Sequence, residues 1–394
     1  MNQKTRKKFW VSDVEAVFAI FIILLAIGTI NVFSSSFVLG ETNFGSPYFF
    51  LKRQVLNIFV GGICFFIGAG VNYHRWRERM PFIVALTFAA LAAVLVIGTE
   101  VNGAKRWLGF SFLQIQPAEI AKLVSLMLIA AYAASRAKVD KPIGIINPQM
   151  VIIFLMGALI ELEPDAGTMA IVILIPFLLL CVAGLSRQKV LGMAGFFTTA
   201  AIGLILLQPY RLQRIKVLYD PWSDAQGIGY QTVQSLSAIG SGGLWGMGLG
   251  LGVSKYSYLP EAHTDFAFAI LSQEMGFLGV IFVMLLYVAF AVYAARIANA
   301  ARDAFGQFLA AGVLLLIVGQ AIINIAMVGG LLPVIGVPLP FISYGGTSLM
   351  VSMASVGILV NIGRHGAKRE RERQWASVVV KAPPKLRLIR GKKI

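Results

Sequence analysis

Apolar runs about as long as a membrane span recur along the chain, and they limit its fold more than any other feature. Only 13% of the 394 residues are charged, whereas a soluble globular chain carries about 25%. Runs of about 20 apolar residues cross a bilayer as helices. The sequence therefore predicts an all-α polytopic membrane protein with ten transmembrane helices in one domain. The helices are predicted at residues 14–37, 55–71, 81–99, 117–135, 147–162, 166–184, 188–207, 265–295, 306–329 and 339–362.

Lysine and arginine concentrate on one side of the predicted bundle. If the N-terminus is cytoplasmic, 25 of the 34 basic residues fall in cytoplasmic segments, eight in outer loops and one, Lys122, in a span. The positive-inside rule then places both termini in the cytoplasm. We expect a basic N-terminus (1–13), a membrane domain (14–364) and a basic, disordered tail (365–394). A large extracytoplasmic loop (208–264) joins the seventh and eighth spans.

The formal net charge of +16 comes largely from the tail, which begins RHGAKRERERQW. Such a segment could bind nucleic acid, but attraction to anionic lipid head groups explains it as well, and we expect no nucleic-acid partner. Cys64 and Cys181 fall inside predicted spans, so no disulfide framework is expected. The first apolar run is longer than the core of a signal peptide, which predicts an uncleaved first span.

The segment YLPEAHTDFAFAI (258–270) places an acidic cluster at the start of an apolar run. Glu261, His263 and Asp265 fall within five residues. Asp265 is either part of a first helical turn capped by Thr264 or a partly desolvated general base at the membrane edge. A divalent cation such as Mg or Mn, held by Asp265 and Glu261, is a further possibility, although the spacing matches no metal motif.

Other ionisable residues lie at the outer ends of predicted spans. Glu119 and Lys122 share a helix face three residues apart, either as a structural ion pair or as functional groups at membrane depth. Glu163 and Asp165 flank a proline in a tight turn. Two carboxylates that close raise one pKa or recruit a cation, unless the turn is simply solvated.

Basic side chains of the outer loops are candidates for binding phosphate, because arginine pairs with phosphate oxygens in a bidentate manner. A solvated loop is the alternative for each of them. These candidates are Arg53, Lys105, Arg106, Arg211 and Arg214.

Two unusual segments complete the pattern. GSGGLWGMGLGLG, the glycine-rich segment (240–252), lacks the Gly-Lys-Ser/Thr of a Walker loop and is predicted to be closely packed or re-entrant. LLPVIGVPLPFISYGGTSL, the proline-rich segment (331–349), predicts a helix broken at membrane depth beside a cavity. Gln320 and Asn324, four residues apart, are interpreted as polar contacts between helices.

Eight motifs follow one another along the chain: NVFSSS (31–36), FLKRQ (50–54), NGAKRWLG (102–109), QPAEIAKL (116–123), EPDAGT (163–168), the block PYR to GSGG and Gly248 (209–248), LPEAHTDFAFAI (259–270) and LPFISYGG (339–346). Together they resemble the SEDS family of bacterial peptidoglycan polymerases, which includes FtsW, RodA and SpoVE. The resemblance runs from about Val14 to Arg364. The blocks PYRLQRIKVLYDPWSD, YQTVQSL and LPEAHTDF are more similar to the division-type FtsW or sporulation-type SpoVE branch, and FtsW is favoured.

The resemblance implies a ten-span fold that polymerises lipid II into glycan strands on the outer face of the cytoplasmic membrane, at the division septum. It also implies that Asp265 is the family's essential loop aspartate. Important polar positions of the family correspond here to Arg53, Glu119, Lys122 and Asp165, and we add His263 and Ser343 as candidates for substrate contact. Ile335 stands where some members have a polar Thr or Lys. The implied partners are a class B penicillin-binding protein and other membrane proteins of the divisome.

In the implied reaction, the 4-hydroxyl of an incoming lipid II attacks the anomeric carbon of the growing chain, which carries undecaprenyl pyrophosphate. Asp265 takes the hydroxyl proton, and a cation offsets the charge on the leaving group. A lipid II flippase and a non-catalytic scaffold of the wall-synthesis complex are the alternatives. The carboxylates cluster on the outer side and the inner loops are short and basic, which favours the enzyme over the flippase.

Overall fold

Helices make up nearly all of the regular structure. The computed structural model describes residues 12–101, 103–110, 113–145, 147–206, 209–256 and 259–381. The helices are α1 Asp13–Phe44, α2 Phe49–Gly70, α3 Tyr73–Glu78, α4 Met80–Ile97, α5 Pro117–Lys138, α6 Pro148–Leu162, α7 Ala166–Val182, α8 Arg187–Leu206, α9 Pro209–Tyr219, α10 Tyr230–Ser241, α11 Ala267–Asn299, α12 Ala304–Val328 and α13 Gly346–Lys381. A short 3-10 helix covers Pro221–Asp224.

The apolar helices confirm a polytopic membrane architecture. In the described part of the chain, α1, α2, α4, α5, α11, α12 and the first part of α13 are the seven helices long and apolar enough to cross a membrane. The shorter α6 and α7 are also apolar, and only a three-residue turn separates them. Each of the ten predicted spans coincides with a helix, with α8 at the position of the seventh. The count of ten crossings itself stays a prediction.

A small sheet departs from the all-α prediction. Strands β1 Thr99–Val101, β2 Ala104–Phe110 and β3 Leu113–Ile115 form an antiparallel sheet in the order β1-β2-β3 between α4 and α5. Val101 pairs with Ala104, so a two-residue connection joins the first two strands, and Gly103 there has a φ of 76°. The Asn-Gly dipeptide in NGAKRW is a strong hairpin signal, and it marks this turn in the sequence.

The last predicted span begins later and ends later than expected. The segment 339–345 is not helical, and α13 starts at Gly346, because the prolines that precede it cannot supply the amide protons of a helix. The helix then continues to Lys381. The predicted disorder of the tail (365–394) stays a prediction, and residues 382–394 lie outside the described residues.

Close helix packing brings the polar residues together. Most side chains of α5 are buried between neighbouring helices. The helices α2 and α13 approach each other through small residues, and a Cβ added at Gly68 would lie 2.7 Å from the carbonyl oxygen of Ala354. Small residues at such crossings allow the backbones to touch. This packing brings the starts of α2, α5, α7 and α13 to one end of the bundle, where they surround a cavity.

Candidate active site

A cavity of about 620 Å³ lies at this end of the bundle, between the sheet and the loop that precedes α11. Its wall also includes the end of α1 and six residues of the proline-rich segment, among them Gly336, Pro338 and Tyr344. Seven residues predicted for the site line it, although they come from five separate stretches of the chain. They are Arg53, Arg106, Glu119, Asp165, Glu261, His263 and Asp265.

Asp265 is held by its backbone on the cavity wall. The Nδ2 atom of Asn324 in α12 donates to the carbonyl oxygens of Asp265 (2.8 Å) and Val337 (2.6 Å). One buried amide therefore joins the loop before α11 to the proline-rich segment. Asn324 was predicted to make polar contacts between helices, and it instead bonds to two non-helical segments.

The interpretation of Asp265 as part of a capped first turn is wrong. α11 begins at Ala267, and Phe266 stands at its N-cap without a side-chain cap bond. The Thr264 hydroxyl instead donates to Glu261, at 2.6 Å to Oε2 and 3.2 Å to the backbone oxygen. Because the Thr264 side chain is bound back into the loop, the carboxyl of Asp265 is left facing the cavity.

The surroundings of Asp265 favour its protonated form. Burial raises the pKa of the Asp265 carboxyl to about 7, and the negative charges of Glu261 and Asp165 add to this, while Arg106 offsets part of the effect and Glu119 raises it further. An unperturbed aspartate has a pKa of about 3.9. A carboxyl that titrates near neutral pH is well matched to accept a proton from a hydroxyl group.

Asp165 is fixed at the start of α7. Its Oδ1 accepts a hydrogen bond from the Thr168 backbone N–H (3.0 Å), which makes it the N-cap. Its Oδ2 accepts from Nε2 of Gln116 (2.9 Å). Two fixed partners hold this carboxylate on the wall as a local negative charge rather than as a mobile base.

Arg106 reaches the same turn from strand β2. Its guanidinium donates to the carbonyl oxygens of Glu163 (3.1 Å) and Pro164. The Glu163 side chain is buried, and neither carboxyl oxygen has a hydrogen-bond partner among the described groups. Burial, followed by the charge of Asp165, raises the pKa of Glu163 to about 8 against the influence of Arg106. The neighbouring carboxylate therefore contributes to the raised pKa of Glu163, but burial is the larger cause.

Glu119 and Lys122 form the predicted ion pair. Nζ of Lys122 lies 2.6 Å from Oε2 of Glu119 and 3.0 Å from Oε1 of Gln320, and all three side chains are buried. Nε2 of Gln320 donates to the Pro338 carbonyl at 2.8 Å. Glu119 lines the cavity and Lys122 does not. Lys122 therefore supports the cavity wall from behind.

Aromatic rings and Arg53 form the opposite wall. The His263 ring lies 4.6 Å from Phe50 and 5.5 Å from Tyr344 between ring centres, and the His263 carbonyl accepts the Tyr344 N–H at 2.8 Å. Burial lowers the pKa of His263 against the opposing charge of Glu261. Arg53 hydrogen-bonds to the Tyr344 side chain. Positive charge at this wall therefore comes from Arg53, since His263 is neutral at pH 7.

Several predicted site residues lie elsewhere. Arg106 lines the cavity, as does its strand neighbour Trp107, whereas Lys105 is exposed and does not line it. Oγ of Ser343 accepts the Leu339 N–H at 2.8 Å inside the proline-rich segment. Arg214 lines a separate cavity of about 270 Å³ and donates to the Val334 carbonyl. The side chain of Arg211 lies outside the described residues.

Two residues of the wall were missed although they lie within the quoted motifs. Gln116 opens QPAEIAKL and binds Asp165. Tyr344, in LPFISYGG, packs against His263. Neutral polar side chains carry no charge pattern, so only contacts across the fold distinguish them. Ile335, where a polar contact was in doubt, packs its side chain against the apolar core.

The two carboxylates predicted as metal ligands, Asp265 and Glu261, both lie on the cavity wall. Among the described residues, no group of three or more His, Cys, Asp or Glu side chains could hold a metal ion. The Glu261 carboxylate also accepts the Thr264 hydroxyl. No catalytic step is therefore assigned to a metal.

Apolar spanning helices that surround one polar, acidic cavity define a multi-pass membrane protein with a site at one end of its bundle. A family model described as cell cycle protein, FtsW/RodA/SpoVE, matches residues 15–368. The chain belongs to this family.

Relatives of known name and structure cover most of this chain. It is 39% identical to Stage V sporulation protein E of Bacillus subtilis, over 87% of this chain and 95% of that protein. It is 39% identical to the protein of Tolumonas auensis named Probable peptidoglycan glycosyltransferase FtsW, over 86% and 89%. A chain of a peptidoglycan synthase complex superposes with a TM-score of 0.73 at 27% identity, over 90% and 98%. The crystal structure of RodA from Thermus thermophilus superposes with a TM-score of 0.66 at 25% sequence identity, over 90% of this chain and 98% of that chain.

Proposed function

We propose that this chain is a peptidoglycan glycosyltransferase that polymerises lipid II into glycan strands, with Asp265 as the general base. The observation that carries the proposal is the carboxyl of Asp265, which faces a polar cavity and has a pKa of about 7. Relatives named peptidoglycan glycosyltransferase support the reaction type. A base poised near the working pH gives the best compromise between ionised fraction and proton affinity.

The reaction joins two lipid-linked sugars. The 4-hydroxyl oxygen of the acceptor bonds to the anomeric carbon of the donor, the bond from that carbon to the pyrophosphate breaks, and the hydroxyl proton passes to Asp265. Arg53 and Arg106 line the same cavity and are suited to offset the charge of the departing pyrophosphate. Apolar side chains, including Phe44 and Phe49, line one side and are suited to the polyprenyl tails.

The topology and location are part of the proposal. Ten crossings with both termini in the cytoplasm would place the cavity on the outer face of the inner membrane, where lipid II head groups are presented. Seven long apolar helices, the shorter apolar α6 and α7, and α8 support that count. We propose action at the division septum, although relatives of both the division and sporulation types support the family.

A class B penicillin-binding protein is the proposed partner, together with other divisome membrane proteins. The support is the structural similarity to a chain of a peptidoglycan synthase complex. We also propose that a divalent cation, Mg or Mn, binds in the cavity, because oxygen atoms of the two phosphates of the leaving group would add ligands to those of the protein. Its contribution is measured by adding or withholding the cation.

The test is polymerisation of purified lipid II by the full chain, reconstituted with a cognate class B penicillin-binding protein. Wild type is compared with Asp265→Asn, which preserves size and removes the base, and with Asp140→Asn, an exposed aspartate at a φ of 48° that asparagine tolerates. We expect glycan strands from wild type and Asp140→Asn, and none from folded Asp265→Asn. Normal polymerisation by Asp265→Asn would overturn its role as the base. Lipid II transport without polymerisation by wild type would favour a flippase.

A further inference from the structure

α11 consists of two parts divided at Gly276. This residue has a φ of 66° and a ψ of −171°, outside the helical range, and the helix resumes behind it. The part before the break, which we call the buried half-helix (267–275), has buried residues from Ala267 to Glu274. Asp265 lies two residues before it. The predicted uninterrupted span at 265–295 is therefore interrupted, and the position of Asp265 depends on how this short piece is held.

The start of the buried half-helix is tied to α1. Nδ2 of Asn31 donates to the Ala267 carbonyl at 3.0 Å, beside the bond from Asn324 to the Asp265 carbonyl. Asn31 is the first residue of NVFSSS, a motif to which neither the cavity nor the proposed reaction assigns a role.

The end of the buried half-helix is also joined to α1, because the carboxylate of a buried ion pair there accepts a hydrogen bond from Ser34 of α1. Nζ of Lys255 lies 2.7 Å from Oε1 of Glu274, and the two side chains are 0% and 1% exposed. The Ser34 hydroxyl donates to the same carboxylate at 2.6 and 2.7 Å and lies 3.1 Å from the lysine Nζ. Removing one partner of such a pair leaves an uncompensated charge inside the protein.

The glycine-rich segment fastens the same end through its backbone. The N–H groups of Met247 and Gly248 donate to the carbonyls of Gln273 (3.0 Å) and Glu274 (3.1 Å). A Cβ added at Gly276 would overlap the backbone of this segment, so the close approach requires glycine. The predicted close packing holds at Gly246, which abuts the backbone at Gly276, whereas Leu244, Trp245 and Leu249 of the segment are exposed.

We infer that Asn31, Ser34, Lys255 and Glu274 are positioning residues for the polymerase reaction, which fix the buried half-helix at both ends and thereby the place of Asp265. This inference rests on the proposed function. A buried ion pair contributes little net stability compared with apolar residues of similar size, and it is better suited to select one register. Asn31 and Ser34 lie one helical turn apart on α1, so the position of the buried half-helix is fixed relative to this one rigid helix.

The sharpest comparison lies within NVFSSS. Ser34→Ala removes the bond to Glu274, whereas Ser36→Ala removes only a bond from Ser36 to the Val32 carbonyl of its own helix (2.6 Å). Both serines are buried on α1. We expect Ser34→Ala to lower kcat by roughly tenfold or more, since about 1 Å of misplacement can cost about a hundredfold. KM for lipid II should change little, and Ser36→Ala should match wild type.

Two further variants separate positioning from folding. Lys255→Met leaves Glu274 without its cation, and the double variant Lys255→Met/Glu274→Gln removes both charges. If the pair sets the position of Asp265, kcat per folded protein falls in the single variant, and the midpoint of its pH–rate profile moves toward lower pH as Asp265 gains water. A purely structural pair would lower the yield of folded protein but leave kcat and the midpoint as in wild type, which would overturn the inference.

A readout without polymerisation separates this inference from the proposed function. Asp265→Cys is introduced after Cys64 and Cys181 are replaced by alanine, and its rate of reaction with a small cationic thiosulfonate is measured. We expect Ser34→Ala and Lys255→Met to change that rate severalfold, and Ser36→Ala to leave it unchanged. Equal rates in all backgrounds would overturn the positioning role. An inactive wild type with unequal rates would instead reject the polymerase and retain the positioning.

Discussion

The pH dependence of polymerisation is the most direct consequence of the cavity's electrostatics. Asp265 must be ionised to accept a proton, so the rate should rise with pH through the pKa of its carboxyl, which burial and neighbouring negative charges raise to about 7. Glu261 is the first of those charges. Replacing it in Glu261→Gln should lower the pKa of Asp265 and move the whole profile toward lower pH.

The expected size follows from simple titration. With a pKa of about 7, the ionised fraction of Asp265 is about 0.09 at pH 6 and about 0.91 at pH 8, so kcat/KM should rise roughly tenfold between them. With the ordinary aspartate pKa of about 3.9 the group would be fully ionised across this range and the profile flat. The variant Glu261→Gln should therefore be faster than wild type at pH 6 and similar at pH 8.

The assay is the initial rate of glycan formation from subsaturating lipid II between pH 5.5 and 9. The control Glu100→Gln removes an equal charge from an exposed residue of β1 and should leave the midpoint in place. A wild-type profile that is flat from pH 6 to 8 would refute the assignment of Asp265 as a base with a raised pKa. An unchanged midpoint in Glu261→Gln would refute the electrostatic reasoning alone.

Three further outcomes are expected. Burial raises the pKa of Glu163 to about 8, so the unfolded chain binds fewer protons than the folded one between about pH 4.5 and 8, and the stability of the fold falls as pH rises through that window. Glu163→Gln should keep the polymerisation rate within about twofold of wild type at pH 7 and make the decline of Tm with pH less steep. A decline of Tm as steep as in wild type would contradict this reasoning. Asn324→Leu removes the two bonds by which this amide joins the Asp265 loop to the proline-rich segment and should lower kcat by roughly 10- to 100-fold. Wild-type kcat would show that the remaining contacts, such as the bond from the Tyr344 N–H to the His263 carbonyl, hold the loop without Asn324. Gly276→Ala should abolish the monodisperse peak in fluorescence-detected size-exclusion chromatography, because the φ of Gly276 is 66° and the glycine-rich segment occupies the space that a Cβ would need. The control Gly203→Ala has open space around the added Cβ and should elute as wild type does.

Much of the architecture could be predicted from the sequence, because the bilayer itself imposes the rule. Every backbone group inside hydrocarbon must bond within its own segment, so an apolar run of the right length becomes a helix. All ten predicted spans accordingly coincide with helices. The choice of Asp265 as a candidate also followed from local composition, since an ionisable residue at the edge of a span is a functional candidate by default.

The interruptions of the helices could not be predicted in the same way. The break at Gly276 lies within an apolar run and has no local sequence signal, because the φ of this residue is set by contact with a neighbouring backbone. The two-residue hairpin at Gly103 did have a local signal, the Asn-Gly dipeptide, although the prediction of an all-α protein included no hairpin. Arg106 lines the cavity and Lys105 does not, although these two neighbouring basic residues look equivalent in sequence.

What the tertiary structure alone decided is which distant polar groups meet. Ser34 and Glu274 are separated by 240 positions, and neither residue stands out in its own stretch of sequence. Their contact depends on the crossing of α1 and α11, the break at Gly276 and the return of Lys255 from a loop. Local sequence determines which segments enter the membrane, because transfer into lipid is a property of each segment. Pairing of buried charges is a property of the assembled bundle, because the cost of burying each one is offset only by a partner brought from elsewhere in the chain.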